Sequence, residues 1–264
     1  MDKQGIMLAI DTSTSSMTVA VIRGSQLLGG MASRAERNHS LYLVPQVQQL
    51  LGGLGLSPRD LEAFTVGVGP GSYTGVRIGI TVAKTMAWAL GRPVIGVSSL
   101  EALALGAARQ RVTTGQGRVW TIPLMDARRT QAYTGLFESG GLVASDVPTW
   151  MPSGWKRLKD DRIVKMDAWI DELLRAVEEL PMGVKPECVQ FVGEVEPFAE
   201  WVDRFATAWS GRVEVKGYEL QGEDVGLLGS RLWAAGELAD VHTIVPNYTQ
   251  LAEAEAKLIA KQVL

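Results

Sequence analysis

The side chains able to do chemistry are few, and their spacing narrows what that chemistry is. The 264 residues hold two histidines, His39 and His242, and one cysteine, Cys188. Neither histidine belongs to an H-x-x-x-H or H-E-x-x-H pattern, so a histidine- or cysteine-rich metal site is not available. No spacing suggests a Ser/His/Asp triad, and His39 beside Ser40 reads as the start of a helix. Two carboxylates stand out. Asp11 ends the apolar run over 6–10 and is followed by Thr12-Ser13-Thr14-Ser15-Ser16, while Asp126 ends the apolar run over 119–125. A carboxylate beside hydroxyls suits a magnesium ion or a phosphate; equally, such groups satisfy the amides of their own turn. The glycine-rich stretch Gly67-Val68-Gly69-Pro70-Gly71-Ser72-Tyr73-Thr74-Gly75 sits between a strand and a helix, where free amides and the helix dipole can hold an anion. It lacks the Gly-Lys-Ser/Thr ending of a P-loop and the G-x-G-x-x-G of a dinucleotide fold. Its glycines are therefore read first as a tight turn, with Gly75 and Gly79 allowing close packing.

The elements that must position these residues follow from periodicity. Strands are expected over 6–10, 16–22 and 26–32, then a helix from about 39 to 51 or 54, with Asn38 as its N-cap. A strand over 63–68 leads through the glycine loop into a long helix ending at Leu90, and a strand over 94–97 follows. Three meandering strands and then alternating helices and strands make a mixed sheet with helices against it. A second unit opens with strands over 119–125 and 131–137. A strand that ends in Asp, then a polar turn and a second strand, thus occurs at Asp11 and again at Asp126, which suggests two half-molecules of related design. Residues 148–161 read as an irregular connection, 169–180 and 196–209 as helices flanking a strand over 188–192, and 225–238 and 252–264 as further helices.

On the helix after the glycine loop, Gly75, Gly79, Ala83 and Ala87 recur every four residues and form one small-residue ridge. The helix from His39 carries two apolar rows, Leu43/Val47/Leu50/Leu54 and Leu41/Val44/Leu51. These features fit a deeply buried core pair and a subunit interface alike.

Composition sets the outer bounds. Hydrophobic residues make up 46% and charged residues 21%, the balance of a globular protein with a sizeable core. A net charge of −3 argues against gripping a nucleic-acid backbone unaided, though not beside a basic partner. The pair Arg128-Arg129, the group Arg109/Arg111/Arg118 and the group Lys156-Arg157/Lys159 read as solvated surface. One cysteine, no signal-peptide pattern and no membrane-spanning run give a cytoplasmic expectation; Cys188, in an apolar run, reads as a buried structural thiol.

Three stretches together resemble a known family. They are Leu8-Ala9-Ile10-Asp11-Thr12-Ser13-Thr14, Val66-Gly67-Val68-Gly69-Pro70-Gly71-Ser72-Tyr73-Thr74-Gly75-Val76-Arg77-Ile78-Gly79, and Pro93-Val94-Ile95-Gly96-Val97-Ser98-Ser99-Leu100. They look like the TsaB (YeaZ) family, bacterial subunits of the machinery that makes N6-threonylcarbamoyladenosine in tRNA. Asn38-His39-Ser40 and Met125-Asp126-Ala127-Arg128 resemble further short motifs of that family. The resemblance implies an α/β fold of the actin/Hsp70/sugar-kinase (ASKHA) type with two related domains, here 1–105 and 106–264, a C-terminal helix of the second packing back on the first. It also implies a paralogous relation to TsaD, the metal-dependent catalytic subunit, whose H-x-x-x-H pair aligns with Ser99 and Leu103. The turn after Asp11 lacks the glycine common in nucleotide-binding members, with Ser13 standing near its place.

The expectation is thus a non-catalytic scaffold that docks on a TsaD-like subunit while the complex modifies adenosine 37 of tRNA. The interface would use Leu43, Val47, Leu50, Gly75, Val76, Gly79, Ile80, Ala83 and Ala87. A TsaE-like ATPase would be a further partner, a homodimer would form in isolation, and tRNA would be met only through the complex. No cofactor is required, although ATP or ADP could occupy a vestigial or shared cleft near Asp11, Thr12, Ser13 and Asp126. The alternatives are an ATP-dependent phosphotransferase or ATPase built on those residues, a homodimeric binding module, and a metalloprotease, since related sequences carry glycoprotease labels. The missing histidine pair weighs against the last.

Overall fold

The computed structural model describes residues 5–34, 39–111, 117–141 and 148–249. Asn38 as a helix cap and the helix expected over 252–264 lie outside the described residues. The chain forms two five-stranded mixed sheets of identical topology. In the first, β1 (Ile6–Asp11), β2 (Ser16–Arg23) and β3 (Gln26–Arg34) make an antiparallel meander, and β4 (Ala63–Gly67) and β5 (Val94–Val97) add parallel to β1, giving the order β3-β2-β1-β4-β5. The second repeats this with β6 (Val119–Asp126), β7 (Gln131–Ser139) and β8 (Lys156–Lys165) as the meander and β9 (Cys188–Gly193) and β10 (Arg212–Gly217) as the parallel strands. The faint echo of Asp11 in Asp126 is therefore a true duplication: each ends the central strand of its sheet.

Helices separate and cover the sheets. α1 (His39–Gly53) and α2 (Tyr73–Leu90) lie on the outer face of the first sheet, and α4 (Met166–Glu178) and α5 (Ala199–Ala208) on the outer face of the second. Between the sheets run α3 (Ser99–Arg109), packed on β6, β7 and β9, and α6 (Gly222–Ala235), packed on β1, β2, β4 and β5. The α6 helix follows the second sheet in sequence yet covers the first. Its entry is fixed by the Gly222 N–H, which donates to the buried Thr18 hydroxyl at 2.7 Å, and a side chain at Gly222 would strike the β2 backbone.

Three elements differ from the expectation. The sequence of residues 148–161 reads as irregular, but β8 begins at Lys156. Its charges hide a strand at the sheet edge, where Lys156 pairs with Glu138 at 2.9 Å and Lys159 and Arg162 both meet Glu172 at 2.7 Å. The second edge strand, β10, is hidden in the same way by alternating charge. Helix α3 shows no amphipathic period because it is buried nearly all round, from Ser99 to Ala108 with only Glu101 partly exposed. Its start is nevertheless written locally: the Ser98 hydroxyl accepts the Glu101 N–H at 2.9 Å, a regular N-cap.

Candidate functional site

The turns that follow β1 and β6 face each other across a cleft of about 770 Å³, the volume of a small-molecule site. One wall is Ser13, Thr14 and Ser15 with the loop Gly71–Gly75; the other is Asp126, Ala127 and Arg128, with Tyr133 and Glu194. Glu194 follows β9 as Asp126 follows β6, and its Oε2 accepts the Asp126 N–H at 2.7 Å. The Asp126 Oδ1 in turn accepts the Arg128 N–H at 2.7 Å.

The residues expected to meet a nucleotide divide into two pairs. Ser13 and Asp126 line the cleft, whereas Asp11 and Thr12 are sealed behind it. Asp11 accepts from the Ser13 N–H at 2.7 Å, the Ser13 hydroxyl at 2.6 Å and the Ser99 hydroxyl at 2.6 Å. Asp11 therefore ties the β1–β2 turn to the start of α3. Thr12 donates its hydroxyl to the Gly75 carbonyl at 2.7 Å and accepts the Gly79 N–H at 3.1 Å. A side chain at Gly75 would come within 2.1 Å of the Thr12 carbonyl oxygen, and one at Gly79 within 2.5 Å of the Thr12 hydroxyl. The glycine loop is thus a close-packing device before it is an anion cradle. As a seat for ATP the cleft offers hydroxyls, Asp126 and Arg128, but Asp11 is already spent on internal hydrogen bonds.

The same contacts correct the expected interface. Leu43, Val47, Leu50, Gly75, Val76, Gly79, Ile80, Ala83 and Ala87 are all buried inside this chain. A row of small residues lets a helix approach a sheet as readily as another helix, and here α2 settles on β1 and β4. The exposed surface of the pair lies on the other side. It comprises Leu41 (65% exposed), Tyr42 and Val44 of α1, and Tyr73 and Trp88 (65% exposed) of α2, with Arg77, Thr81 and Thr85 between the latter two. Of the second apolar row on α1, only Leu51 turns inward. Sequence alone missed the exposed stripe because α2 carries apolar residues on every face. One flank of α2 is covered by the segment after α6: Ala239 bridges Val94, the Asn247 N–H donates to the Val68 carbonyl at 2.7 Å, and the Tyr248 hydroxyl accepts from Arg77 Nε at 2.9 Å.

Two partly buried ionic networks fix the lobes to each other through α3. At its C-terminal end Arg109 pairs with Asp224 at 3.0 Å and Glu223 at 2.9 Å, and the Tyr218 hydroxyl donates to Asp224 at 2.7 Å. Burial pushes the Asp224 carboxyl up to about 6 and the Tyr218 hydroxyl far above its ordinary value. Near the N-terminal end of α3, Glu101 takes Arg157 at 2.8 Å and the Trp155 Nε1 at 3.3 Å, and Arg157 also pairs with Asp161. Burial raises Asp161 as well. Arg111 and Arg118 pair with Glu214 at 3.2 Å and Glu138 at 2.9 Å, so most of the basic spots are internally neutralised. Cys188 is a buried free thiol whose titration burial pushes up to about 11, a structural rather than reactive state. Among the described residues no group of histidine, cysteine and acidic side chains could hold a metal ion, and no helix is long and apolar enough to cross a membrane.

Known proteins share this sequence and architecture. The family model for TsaD, described as tRNA N6-adenosine threonylcarbamoyltransferase, matches residues 25–210. The tRNA threonylcarbamoyladenosine biosynthesis protein TsaB of Bacillus subtilis (strain 168) is 35% identical over 258 residues, which are 97% of this chain and 99% of that protein. TsaB of Escherichia coli (strain K12) is 37% identical over 127 residues, 48% of this chain and 56% of that protein. The solved structure of YeaZ from Pseudomonas aeruginosa superposes with a TM-score of 0.68 at 25% identity, covering 92% of this chain and 99% of that one. A relative matched from end to end and a solved structure matched over nearly all its length agree with the motifs at Asp11, the glycine loop and Asp126: the chain belongs to the TsaB (YeaZ) family, within the wider relationship that the TsaD model describes.

Proposed function

We propose that this chain is a non-catalytic scaffold subunit in the biosynthesis of N6-threonylcarbamoyladenosine at adenosine 37 of tRNA. It would dock on a TsaD-like, metal-dependent catalytic subunit in the cytoplasm, with a TsaE-like ATPase as a further partner. The observation that carries the reading is the exposed apolar face of Leu41, Tyr42, Val44, Tyr73 and Trp88 on two helices whose opposite faces are rigidly seated. Large aromatic and aliphatic groups left exposed on two adjoining helices suit a protein interface. A homodimer through the same face is the expected state in the absence of the partner. The reading of the chain as non-catalytic is supported by Ser99 and Leu103, which stand where a histidine pair would be. Ser99 is committed to Asp11 and Leu103 is buried in the core between the sheets. No cofactor belongs to this reading. The alternative, an ATP-dependent phosphotransferase, is favoured only by the hydroxyls and Asp126 around the cleft.

The test is light-scattering chromatography of the purified chain mixed with the TsaD-like subunit of the same cell. Wild type should give a one-to-one complex, and Leu41→Glu and Trp88→Glu should abolish it while melting at the wild-type temperature. No complex with wild type, together with ATP turnover by the isolated chain, would replace the scaffold with the phosphotransferase.

A further inference from the structure

The β6–β7 turn has two properties that neither the cleft nor the helix pair explains. Arg128, Arg129 and Thr130 are consecutive left-handed residues, with φ of 65°, 52° and 59°. None is glycine, and each such residue costs about 1–2 kcal/mol relative to the right-handed form; a β-branched residue such as Thr130 is the least suited to it. The second property is charge. Arg34, Arg109, Arg111, Arg118, Arg157 and Arg162 each meet a carboxylate, whereas Arg23, Arg59 and Arg92, scattered over the surface, meet none among the described residues. Arg128 and Arg129 are exposed and have no ionic partner among the described residues. Lys165 stands beside them: it pairs with Gln131 across the β7–β8 ladder, and the Met166 N–H donates to the Thr130 carbonyl at 3.2 Å. It too is exposed and without an ionic partner among the described residues. Asp126, Glu194 and Asp167 lie nearby but make no ion pair with these cations; each accepts a backbone N–H, from Arg128, Asp126 and Ala168 respectively, and keeps its charge.

A strained turn thus holds two guanidinium groups without ion pairs among the described residues, Arg128 lining the cleft, and the adjoining end of β8 carries Lys165, in a chain of net charge −3. No large apolar residue is exposed at this tip, so it has no core for a packed protein interface. Bare cations with hydrogen-bond donors are what a phosphodiester backbone requires, and a guanidinium matches phosphate oxygens two at a time. We propose that Arg128, Arg129 and Lys165 are this subunit's own contact with the sugar-phosphate backbone of the RNA substrate. The RNA then touches the scaffold as well as the catalytic partner. The inference rests on the reading above, in which the chain works in tRNA modification.

The experiment measures binding of a fluorescently labelled, unmodified tRNA transcript by anisotropy across a salt series. The full chain and its complex with the TsaD-like subunit are both titrated. Each phosphate contact contributes roughly 0.7–0.9 to the slope of log K against log salt. The triple variant Arg128→Gln/Arg129→Gln/Lys165→Gln should therefore flatten the slope by about two and weaken binding tenfold or more at low salt. Arg59→Gln/Lys185→Gln, which removes exposed cations elsewhere, should change neither. An unchanged slope in the triple variant overturns the proposal, as does the absence of measurable RNA binding by both wild-type preparations. Loss of Mg·ATP binding with RNA binding intact would assign the tip to a free nucleotide and overturn it equally. Light scattering on the same samples separates the two readings: failure of the complex to form strikes the docking model, while the slope measured on the isolated chain decides this one.

Discussion

Substituting Gly79 by alanine tests which face of α2 is the inner one. An added methyl at Gly79 would lie 2.5 Å from the Thr12 hydroxyl oxygen, well inside contact distance. That hydroxyl cannot simply rotate away, because it is buried and bonded to the Gly75 carbonyl at 2.7 Å and the Gly79 N–H at 3.1 Å. Losing both bonds costs about 1 kcal/mol each, and forcing a methyl into a packed site adds about 1–3 kcal/mol. The better helix propensity of alanine returns about 1 kcal/mol. The net expectation is a loss of about 2–4 kcal/mol, a fall in melting temperature of roughly 5–10 °C for a chain of this size. Trp88→Ala on the opposite face should change stability by no more than about 0.5 kcal/mol. The assay is differential scanning calorimetry of both variants, and of Gly79→Ala made in a Thr12→Ala background. With the hydroxyl gone, the second step should cost less than about 1 kcal/mol, because the two residues are in contact and their effects do not add. A Gly79→Ala protein that melts at or above wild type would refute the inward ridge and return it to the list of free surfaces.

Two further expectations concern the lobe contact and the strained turn. Asp224 titrates at about 6 in the folded chain against an ordinary 3.8, so the folded state holds its proton more tightly than the unfolded state does. Its contribution is therefore fully favourable below about pH 4 and is lost as pH rises through 6, a change of about 3 kcal/mol at 1.36 kcal/mol per unit. Facing it are Arg109 from α3, Tyr218 after β10 and Glu223 on α6. Urea unfolding of wild type and Asp224→Asn at pH 4.5 and 7 should show wild type gaining on the variant at the lower pH; a difference independent of pH removes this account. Thr130→Gly should stabilise by about 0.5–1 kcal/mol, the relief of left-handed strain less the entropy that glycine adds to the unfolded chain. Destabilisation in the same urea assay would show that the turn is not strained.

Much of the fold could be read from the chain because its signals are local. The runs ending at Asp11 and Asp126 and the glycine loop between β4 and α2 are short-range features that tertiary packing reinforced. What escaped was decided at long range. α3 has no period because it is buried between two sheets. β8 and β10 look like charged connections because they are edge strands whose charges are paired, those of β8 with Glu138 across the ladder and Glu172 of α4, and Arg212 with Glu214 within β10. The candidate interface went to the wrong face for a related reason. Period alone says that Gly75, Gly79, Ala83 and Ala87 share a side of α2; it cannot say whether a sheet or a partner lies against that side. The β1–β2 turn, some sixty residues away in sequence, supplies the answer through Thr12.

The duplication gives the chain an internal comparison. Asp11 and Asp126 end equivalent strands in sheets of the same order, so the backbone presents both to the cleft in the same way. Their surroundings have diverged completely. Asp11 is enclosed by Ser13, Ser99 and the glycine loop, and it anchors the turn on which α2 and α3 rest. Asp126 is exposed, its carboxylate accepts the Arg128 N–H of its own turn, and it is followed by residues held in an unfavourable conformation. A symmetrical catalytic pair would need both carboxylates at the cleft surface, where a substrate or ion can bridge them. Here the first half has turned its carboxylate into a structural pin, which stiffens the platform behind the exposed face of α1 and α2. The second half has kept an exposed, strained tip whose guanidinium groups have no ionic partner among the described residues. Rigidity in one lobe and cations without ion pairs in the other fit the two proposed roles, docking on a protein partner and contact with a polyanion.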